Sequence, residues 1–447
     1  MILVAVMMPF GMLAIVGLPK LGGLSLLAVN VASAAAVGAG ILLLLGRLMR
    51  GDRIRLEPSA IAILIFAAYT IFSATVLVRL FSGEIMVFSL SRSAGGVRVS
   101  TAFLWGKVWL SPGSSNISQT FYIVLASGLF IVAVNQLSRR GAAFGDQCMA
   151  WAAGVNLGLG MLDMAALDPV LALIRTASYS LMNEATVAGI PRVIGGFSES
   201  ASFGAFSAVL FAYFATLALR TGRRRDAVLA LGNGVFACLA LSATGLLAVA
   251  VVTCILLLQV QVRVPEQTSR GMLLGFAVVL AAGGLGLAAA LTMTDAPAMV
   301  ASVINDLIIN KSQSSSGLER SAWMMGGLEA LQQSMGLGVG AGSLRSNGLL
   351  FVLLGSVGIP GTAAFCAFLI LAFGGRAIAG QEDTLAATRL GAVAALVSLM
   401  LSATVPDPGV PLIFLAALAV ATRRNPATVD AAPMPRMPHL QTRSLVQ

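Results

Sequence analysis

The chain has 447 residues, of which 58% are hydrophobic and 10% are charged, and its mean hydropathy is +0.92. A soluble domain of this size is far less apolar, so the composition excludes one and predicts an all-α integral membrane protein. The formal net charge of +10 reflects how arginines are distributed about the membrane, and it gives no reason to expect a nucleic-acid partner.

Long apolar stretches recur along the whole chain. A helix needs about 20 apolar residues to cross about 30 Å of hydrocarbon, and the pattern predicts about twelve such spans, with ten as the lower count. Residues 1–424 are therefore predicted to form a polytopic transmembrane domain, and 425–447 a disordered cytoplasmic tail. Residues 2–18 lack a basic leader region and are predicted to be a retained span. The predicted spans are 2–18, 21–46, 59–78, 117–137, 148–165, 201–219, 227–241, 245–262, 272–293, 346–373, 390–405 and 410–421.

The basic residues predict the orientation of these spans. With the first residues on the cytoplasmic side, 18 of the 28 Lys and Arg residues fall in short inner connections or in the tail, which is the positive-inside pattern. Three longer segments, 79–116, 166–200 and 294–345, then face outward, and long loops usually carry function. The inner arginines are Arg47, Arg50, Arg53, Arg55, Arg139, Arg140, Arg220, Arg223, Arg224, Arg225, Arg263, Arg270, Arg376, Arg389, Arg423, Arg424, Arg436 and Arg443.

The outer segment 79–116 contains two alternating runs around 93–96. They predict a small hairpin that carries Arg92 and Arg98. This hairpin is interpreted either as a solvated cap or as a lid or acceptor surface.

In the outer segment 166–200, Arg175 and Arg192 precede the run GGFSESASFGAF. Ser198 is predicted to cap a helix that begins at Glu199. A Gly-Gly turn before a helix N-terminus offers free N–H groups and a positive dipole end, which suit a phosphate group. Alternatively, Glu199 only complements the helix dipole.

The outer segment 294–345 contains a helix signal. Ser316 and Glu319 form a capping-box pattern, so a helix is predicted to begin at Gly317. A helical projection places Arg320 in the middle of the apolar face, where the guanidinium needs an anionic ligand or a route to lipid phosphates. The same face carries Trp323, Met324, Gly327, Leu328 and Leu331, and the opposite face carries Glu319, Glu329, Gln332 and Gln333.

The run GLGVGAG follows this helix at 336–342. Such a run lets the backbone approach a ligand closely. Alternatively, it only provides a flexible connection into the next membrane span. No Lys-Ser or Lys-Thr follows the run, so it is not a nucleotide P-loop.

Histidine is nearly absent, and this excludes many enzyme classes. The single histidine, His439, lies in the tail, so His-dependent hydrolysis, haem ligation and most zinc sites are excluded, and we expect neither a metal nor a cofactor. The cysteines Cys148, Cys238, Cys254 and Cys366 all fall in predicted helices.

Arginines and carboxylates remain in the outer segments. Arginine binds phosphate bidentately and stays charged, so convergent arginines at a membrane surface suit a lipid-linked diphosphate. Stabilising the charge on a departing diphosphate needs no metal, and a carboxylate can deprotonate an attacking sugar hydroxyl. The residues are Arg79, Arg92, Arg98, Arg175, Arg192, Arg320 and Arg345, with Glu84, Asp168, Glu184, Glu199, Asp295, Asp306, Glu319 and Glu329.

Two blocks of this sequence resemble the bacterial O-antigen polymerase and O-antigen ligase superfamily. One is Arg192 with GGFSESASFGAF, followed by RRR and ALSATGLLAV, and the other is Arg320 and Trp323 with GLGVGAG and NGLLFVLLGSVGIPG. Together they cover about residues 170–375. The resemblance implies a GT-C-like membrane glycosyltransferase that performs inverting, metal-independent transfer at the periplasmic face of the bacterial inner membrane.

The resemblance also implies roles for single residues. Arg192 and Arg320 would hold the diphosphate, Arg320 would act in catalysis, and Glu199 would be a catalytic base. Further candidates for substrate binding are Arg345, Arg175 and Trp323. The implied partners are an undecaprenyl-diphosphate-linked glycan donor and acceptor, membrane lipid, a chain-length regulator and a flippase.

Three functions follow as alternatives. Ligases of the superfamily carry an outer-loop histidine where this chain has Ser346, which favours a polymerase of lipid-linked repeat units for O-antigen, capsule or exopolysaccharide. An O-antigen ligase or protein O-glycosyltransferase of the same superfamily is the second alternative. A secondary transporter is the third, although such proteins usually show repeated halves and broken-helix sites near the midplane.

Overall fold

The computed structural model describes residues 1–18, 24–51, 56–90, 106–177, 186–187, 190–263 and 315–424. Helices dominate these residues. They are α1 (Ile2–Met7), α2 (Ala28–Met49), α3 (Pro58–Leu80), α4 (Ser114–Arg140), α5 (Ala142–Met164), α6 (Asp168–Ala172), α7 (Ser200–Thr221), α8 (Arg224–Leu239), α9 (Ala243–Arg263), α10 (Ser315–Gln333), α11 (Leu349–Phe373), α12 (Glu382–Ser402) and α13 (Gly409–Ala421).

Three small antiparallel hairpins join the helices. Strand β1 (Ala14–Leu18) pairs with β2 (Leu24–Leu27), and β3 (Met86–Phe88) pairs with β4 (Lys107–Trp109). Strand β5 (Thr186–Val187) pairs with β6 (Ile190–Pro191). The β3–β4 ladder lies in the segment predicted to form a hairpin, while the predicted tip with Arg92 and Arg98 lies outside the described residues.

Among the described residues, six helices are long and apolar enough to cross a membrane: α2, α3, α4, α7, α11 and α12. The prediction of a helical membrane protein is confirmed at this level, and the count of ten to twelve spans stays a prediction. The predicted span 272–293 and the predicted tail lie outside the described residues. Pro58 begins α3, where its missing N–H costs no helical bond, and Gly222 ends α7 with a left-handed φ of 68°.

The prediction of one continuous span over 2–18 is wrong. Helix α1 ends at Met7, and the chain then turns through Pro9 and Gly11 into β1. In this turn the Met12 N–H donates to the Gly196 carbonyl over 2.9 Å. Pro9 and Gly11 disfavour continuation of the helix, and a hydropathy profile does not detect such a break. The following span accordingly begins at Ala28 rather than 21.

Ionic contacts at one end of the bundle join helix ends that are distant in sequence. Arg424 Nε donates to Glu57 Oε1 and Arg220 Nε donates to Asp383 Oδ1, each over 2.6 Å. Arg423 donates to the Leu371 and Ala372 carbonyls at the C-terminus of α11, where a cation also complements the helix dipole. We name this the basic end of the bundle.

The opposite end collects the longer connections, and we name it the loop end. Ser115 Oγ donates to the Gly342 carbonyl over 2.7 Å, and Asn347 Nδ2 donates to the Leu401 carbonyl over 3.3 Å. Two of the segments that were predicted to face outward, 79–116 and 294–345, therefore meet at one end of the bundle.

Helix α7 runs through the centre of the bundle, with nearly every residue from Phe203 to Ala218 buried. Several polar side chains inside the bundle are paired. Tyr213 donates to Asp146 over 2.5 Å, and Thr384 donates to the same carboxylate over 3.1 Å. Asn156 donates to Ser207 over 2.9 Å. Such pairing is what a low-dielectric interior requires of polar groups.

The glycine-rich run 336–342 packs against a break in α11. Gly358 leaves the helical conformation at φ 62° and ψ −167°. Val339 and Gly340 donate their N–H groups to the Gly355 and Ser356 carbonyls, each over 2.9 Å. The glycine-rich run approaches the backbone of the same chain closely, and the predicted approach to a ligand stays a prediction.

Candidate functional site

The loop that precedes α7 is fixed by a buried ion pair. Arg175 donates to Asp163 Oδ1 over 2.5 Å, and the two side chains are 8% and 12% exposed. Asp163 Oδ2 accepts the N–H groups of Ile194 and Gly195, over 2.6 and 3.0 Å. Arg175 also donates to the Gly195 carbonyl. These contacts give Arg175 a positioning function for the turn after Arg192, and its predicted contact with substrate stays a prediction.

Replacing Asp163 with alanine is expected to destabilise the protein by about 3–5 kcal/mol, because the Arg175 charge would stay buried without its partner. Thermal unfolding in detergent measures this. The matched control is Asp383→Ala, which breaks the exposed pair with Arg220, 46% and 38% exposed, and should cost about 0–1 kcal/mol. Equal losses of stability in the two variants would contradict the conclusion that Asp163 stabilises the loop before α7.

Glu199 is the N-cap residue of α7, since the helix begins at Ser200 and Glu199 is extended at φ −151°. The prediction that Ser198 caps a helix starting at Glu199 is therefore wrong by one residue. The Glu199 carboxylate makes no capping hydrogen bond and accepts one from Ser202 Oγ over 3.4 Å. It remains at the N-terminal end of α7, where the helix dipole favours negative charge.

Arg192 lies close enough to Glu199 and to Arg320 for their charges to act on its guanidinium. Burial lowers the pKa of Arg192, the Glu199 carboxylate raises it, and the Arg320 guanidinium lowers it. An arginine stays protonated near neutral pH despite such effects. Two segments that are far apart in the sequence thus bring two cations and one carboxylate together at the loop end.

The guanidinium groups of this cluster have few partners within the described part of the chain. Arg192 Nε donates to the Ala240 carbonyl over 3.4 Å, a long hydrogen bond. No hydrogen bond or ion pair joins the Arg320 side chain to any residue that the structure describes. Two guanidinium groups whose donors are largely unused by the described residues, in net positive surroundings, suit an anionic ligand.

Trp323 of α10 and Arg345, which follows the glycine-rich run, form a contact next to Arg320 in the sequence of α10. The Arg345 guanidinium stacks over the Trp323 ring, with 5.0 Å between its central carbon and the ring centroid, and Arg345 is 8% exposed. Trp323 follows Arg320 by three residues, so the two share a helix face. We name Arg192, Glu199, Arg320, Trp323 and Arg345 the arginine cluster.

Ser346 is fully buried beside α10. Its Oγ donates to the Trp323 carbonyl over 3.1 Å. A Cβ added at Gly327 would lie 2.5 Å from this hydroxyl. Gly327 and Ser346 are therefore in close contact, and a side chain at Gly327 would displace the Ser346 hydroxyl.

Helix α10 agrees mostly with its predicted faces, and Gly327 packs inward as the helical projection requires. The described part of the helix already includes Ser316, which was predicted to be the cap before its first residue. Glu329, expected to face away, instead forms an ion pair with Lys107 of β4. That partner comes from a distant hairpin, so no pattern within the helix signals it.

Sequence reasoning missed two carboxylates that the fold places near the loop end. Asp163 binds Arg175, as described, and its position inside a predicted span concealed it. Asp407 lies between α12 and α13, where its Oδ1 accepts the Gly409 N–H over 3.0 Å. Burial raises the pKa of Asp407, and the Gly409 hydrogen bond lowers it.

Among the described residues, no group of three or more His, Cys, Asp or Glu side chains is placed to hold a metal ion. The fold defines a helical membrane protein with a cationic cluster at its loop end. Comparisons with protein-family models, curated proteins and solved structures find no match for this chain.

Proposed function

We propose that this protein is a membrane glycosyltransferase that polymerises undecaprenyl-diphosphate-linked oligosaccharide repeat units. The observation that carries the proposal is the convergence of Arg192, Glu199 and Arg320 at the end of the bundle opposite the basic end. By the positive-inside rule the basic end is cytoplasmic, so the arginine cluster faces the periplasm of a bacterial inner membrane. The product is O-antigen, capsule or exopolysaccharide.

In this proposal the guanidinium groups of Arg192 and Arg320 bind the diphosphate of the donor. Negative charge grows on the diphosphate as the glycosidic bond to it breaks, and preorganised cations stabilise that charge in the transition state. Glu199 accepts the proton of the attacking hydroxyl on the acceptor glycan. Attack from the face opposite the leaving diphosphate inverts the configuration at the sugar carbon.

Arg345 and Trp323 form the part of the cluster next to α11. Stacking on the indole ring holds the Arg345 guanidinium in place, since a cation over an aromatic face is attracted by the ring quadrupole. This preorganisation supports a second contact with the diphosphate. Ser346, at the position where ligases of the superfamily carry a histidine, supports the polymerase branch over the ligase branch.

The direct test supplies the purified protein with a lipid-linked repeat unit and resolves the products by size. A ladder of lengthening products is expected. Transfer of a single glycan to a lipid or protein acceptor without any ladder would instead assign the chain to the ligase or protein O-glycosyltransferase alternative.

A divalent-metal chelator is expected to leave ladder formation unchanged, because arginines rather than a metal ion neutralise the diphosphate. The measurement compares product ladders with the chelator, without it, and after a divalent ion is added back. An absolute dependence on the added ion would contradict the arginine-only mechanism.

A secondary transporter is the second candidate, and the break of α11 at Gly358 favours it, because broken helices form binding sites in many transporters. In this chain the carbonyls of Gly355 and Ser356 at the break accept hydrogen bonds from the glycine-rich run. The break is therefore occupied by protein backbone. Flux of a free oligosaccharide through proteoliposomes, without any glycan lengthening, would favour the transporter.

A further inference from the structure

A surface depression lies at the loop end between the β3–β4 hairpin and the C-terminal end of α10. Its volume is about 570 Å³, and it is lined by Glu84, Ile85, Met86, Lys107, Trp109 and Gln333. This volume is within the range of pockets that bind small organic ligands, about 300–1,000 Å³. None of these residues belongs to the arginine cluster.

The depression combines one exposed aromatic face with polar groups. Trp109 pairs across the ladder with Met86, and the two are 58% and 40% exposed. Glu84 supplies a carboxylate acceptor, and Gln333 supplies an amide that both donates and accepts. Lys107 is held by its ion pair with Glu329 and lies over the Phe88 ring.

These features match the chemistry of a sugar ring. A pyranose has a face of C–H groups that packs on an aromatic ring, and a rim of hydroxyls that both donate and accept hydrogen bonds. The Glu84 carboxylate repels an anionic ligand, and a strongly apolar ligand would make no use of the polar groups of Glu84 and Gln333.

We propose that this depression binds a neutral sugar unit of the glycan at a distance from the reacting diphosphate. The choice of a glycan as ligand rests on the proposed function. Trp109 stacks on the sugar ring, and Glu84 and Gln333 bind its hydroxyls.

The depression is joined directly to the arginine cluster. The Phe88 carbonyl of β3 accepts the Arg345 N–H over 2.7 Å, and Phe88 lies two residues beyond Met86 on the same strand. Helix α10 connects the two sites as well, with Arg320 near its start and Gln333 at its end, about 20 Å apart at 1.5 Å per residue. A glycan that extends from the diphosphate along α10 reaches the depression.

The test measures binding of a lipid-free glycan by calorimetry with the protein in lipid nanodiscs. The probe is the oligosaccharide released by mild acid from the lipid-linked pool of the cells that make the protein. Trp109→Ala is expected to raise the Kd by about tenfold or more through loss of the stacking contact. Glu84→Ala should weaken binding in the same direction.

The matched control is Trp151→Ala, which removes an indole that is 52% exposed on α5, away from the depression, and should leave the Kd unchanged. Wild-type affinity in both Trp109→Ala and Glu84→Ala, or no binding by the unchanged protein, would overturn the inference. Arg320→Ala separates the inference that the depression binds glycan from the proposal that Arg320 binds the diphosphate. It should bind the free glycan normally, and normal polymer formation by this variant would remove Arg320 from the diphosphate site without bearing on glycan binding at the depression. Glycan binding by an unchanged protein that forms no product ladder would contradict the proposed function and leave the depression as a glycan site.

Discussion

Replacing Arg192 or Arg320 with alanine is expected to lower polymer formation by about 10²-fold or more. Each guanidinium stabilises charge that grows on the leaving diphosphate, and removing one preorganised donor of this kind typically costs about 10²–10³-fold in rate. The measurement is the initial rate of ladder formation by purified variants at equal concentration. Lysine at either position keeps the charge and loses the bidentate geometry, so it should give an intermediate rate.

Arg224→Ala serves as the matched control, because this arginine is exposed at the basic end and belongs to no cluster at the loop end. Its rate should equal that of the unchanged protein. Thermal unfolding of each variant shows whether a lower rate comes from the missing guanidinium or from a protein that no longer folds. Rates near the unchanged level in both Arg192→Ala and Arg320→Ala would show that the diphosphate is held elsewhere.

Gly342→Ala is expected to destabilise the protein strongly. The Gly342 backbone has φ 83°, and a Cβ there would lie 2.3 Å from the Ser115 carbonyl oxygen. The left-handed conformation alone costs about 1–2 kcal/mol for a residue with a side chain, and overlap with a fixed backbone adds about 1–3 kcal/mol. Thermal unfolding in detergent should show a clearly lowered midpoint.

Gly380→Ala is a close control for this variant. Gly380 has the same φ of 83°, and nothing lies within 4 Å of its added Cβ. It should therefore show the conformational cost alone. If the two variants unfold at the same temperature, the glycine-rich run does not depend on close backbone packing.

Local sequence signals predicted the elements that depend on neighbouring residues. The helical pattern after Ser316 predicted a helix here, and the structure describes α10 over Ser315–Gln333. The arginines at helix ends predicted which connections meet at one end of the bundle, and the contacts of Arg220 with Asp383 and of Arg424 with Glu57 agree with that grouping. These signals are local in sequence, so no knowledge of the fold is needed to interpret them.

The features that were missed depend on contacts between distant segments. Glu329 faces Lys107 because the β3–β4 hairpin folds over α10, and Asp163 binds Arg175 because the outer loop turns back onto α5. The first eighteen residues are apolar enough for a span, yet Met12 bonds to the Gly196 turn instead. Hydropathy measures only the preference for lipid, and it does not report competing contacts within the protein.

The candidate site likewise combines residues that local sequence patterns identified with contacts that only the fold reveals. Arg192 and Arg320 were selected from separate outer segments for their chemistry, and the fold brings them within electrostatic reach. Arg345 stacks on Trp323 because the glycine-rich run leads the chain back to α10. No local sequence pattern specifies that path. The roles of these residues in catalysis stay predictions.

Accessibility labelling tests most directly whether the arginine cluster faces outward. Two single-cysteine proteins, Ser321→Cys on α10 and Arg224→Cys at the basic end, are prepared after Cys148, Cys238, Cys254 and Cys366 are replaced with serine. Both positions are exposed in the fold. A membrane-impermeant maleimide added to intact spheroplasts should label the cysteine at 321 and leave the cysteine at 224 unlabelled. Labelling at 224 and not at 321 would place the cluster in the cytoplasm and contradict a site for periplasmic lipid-linked glycans.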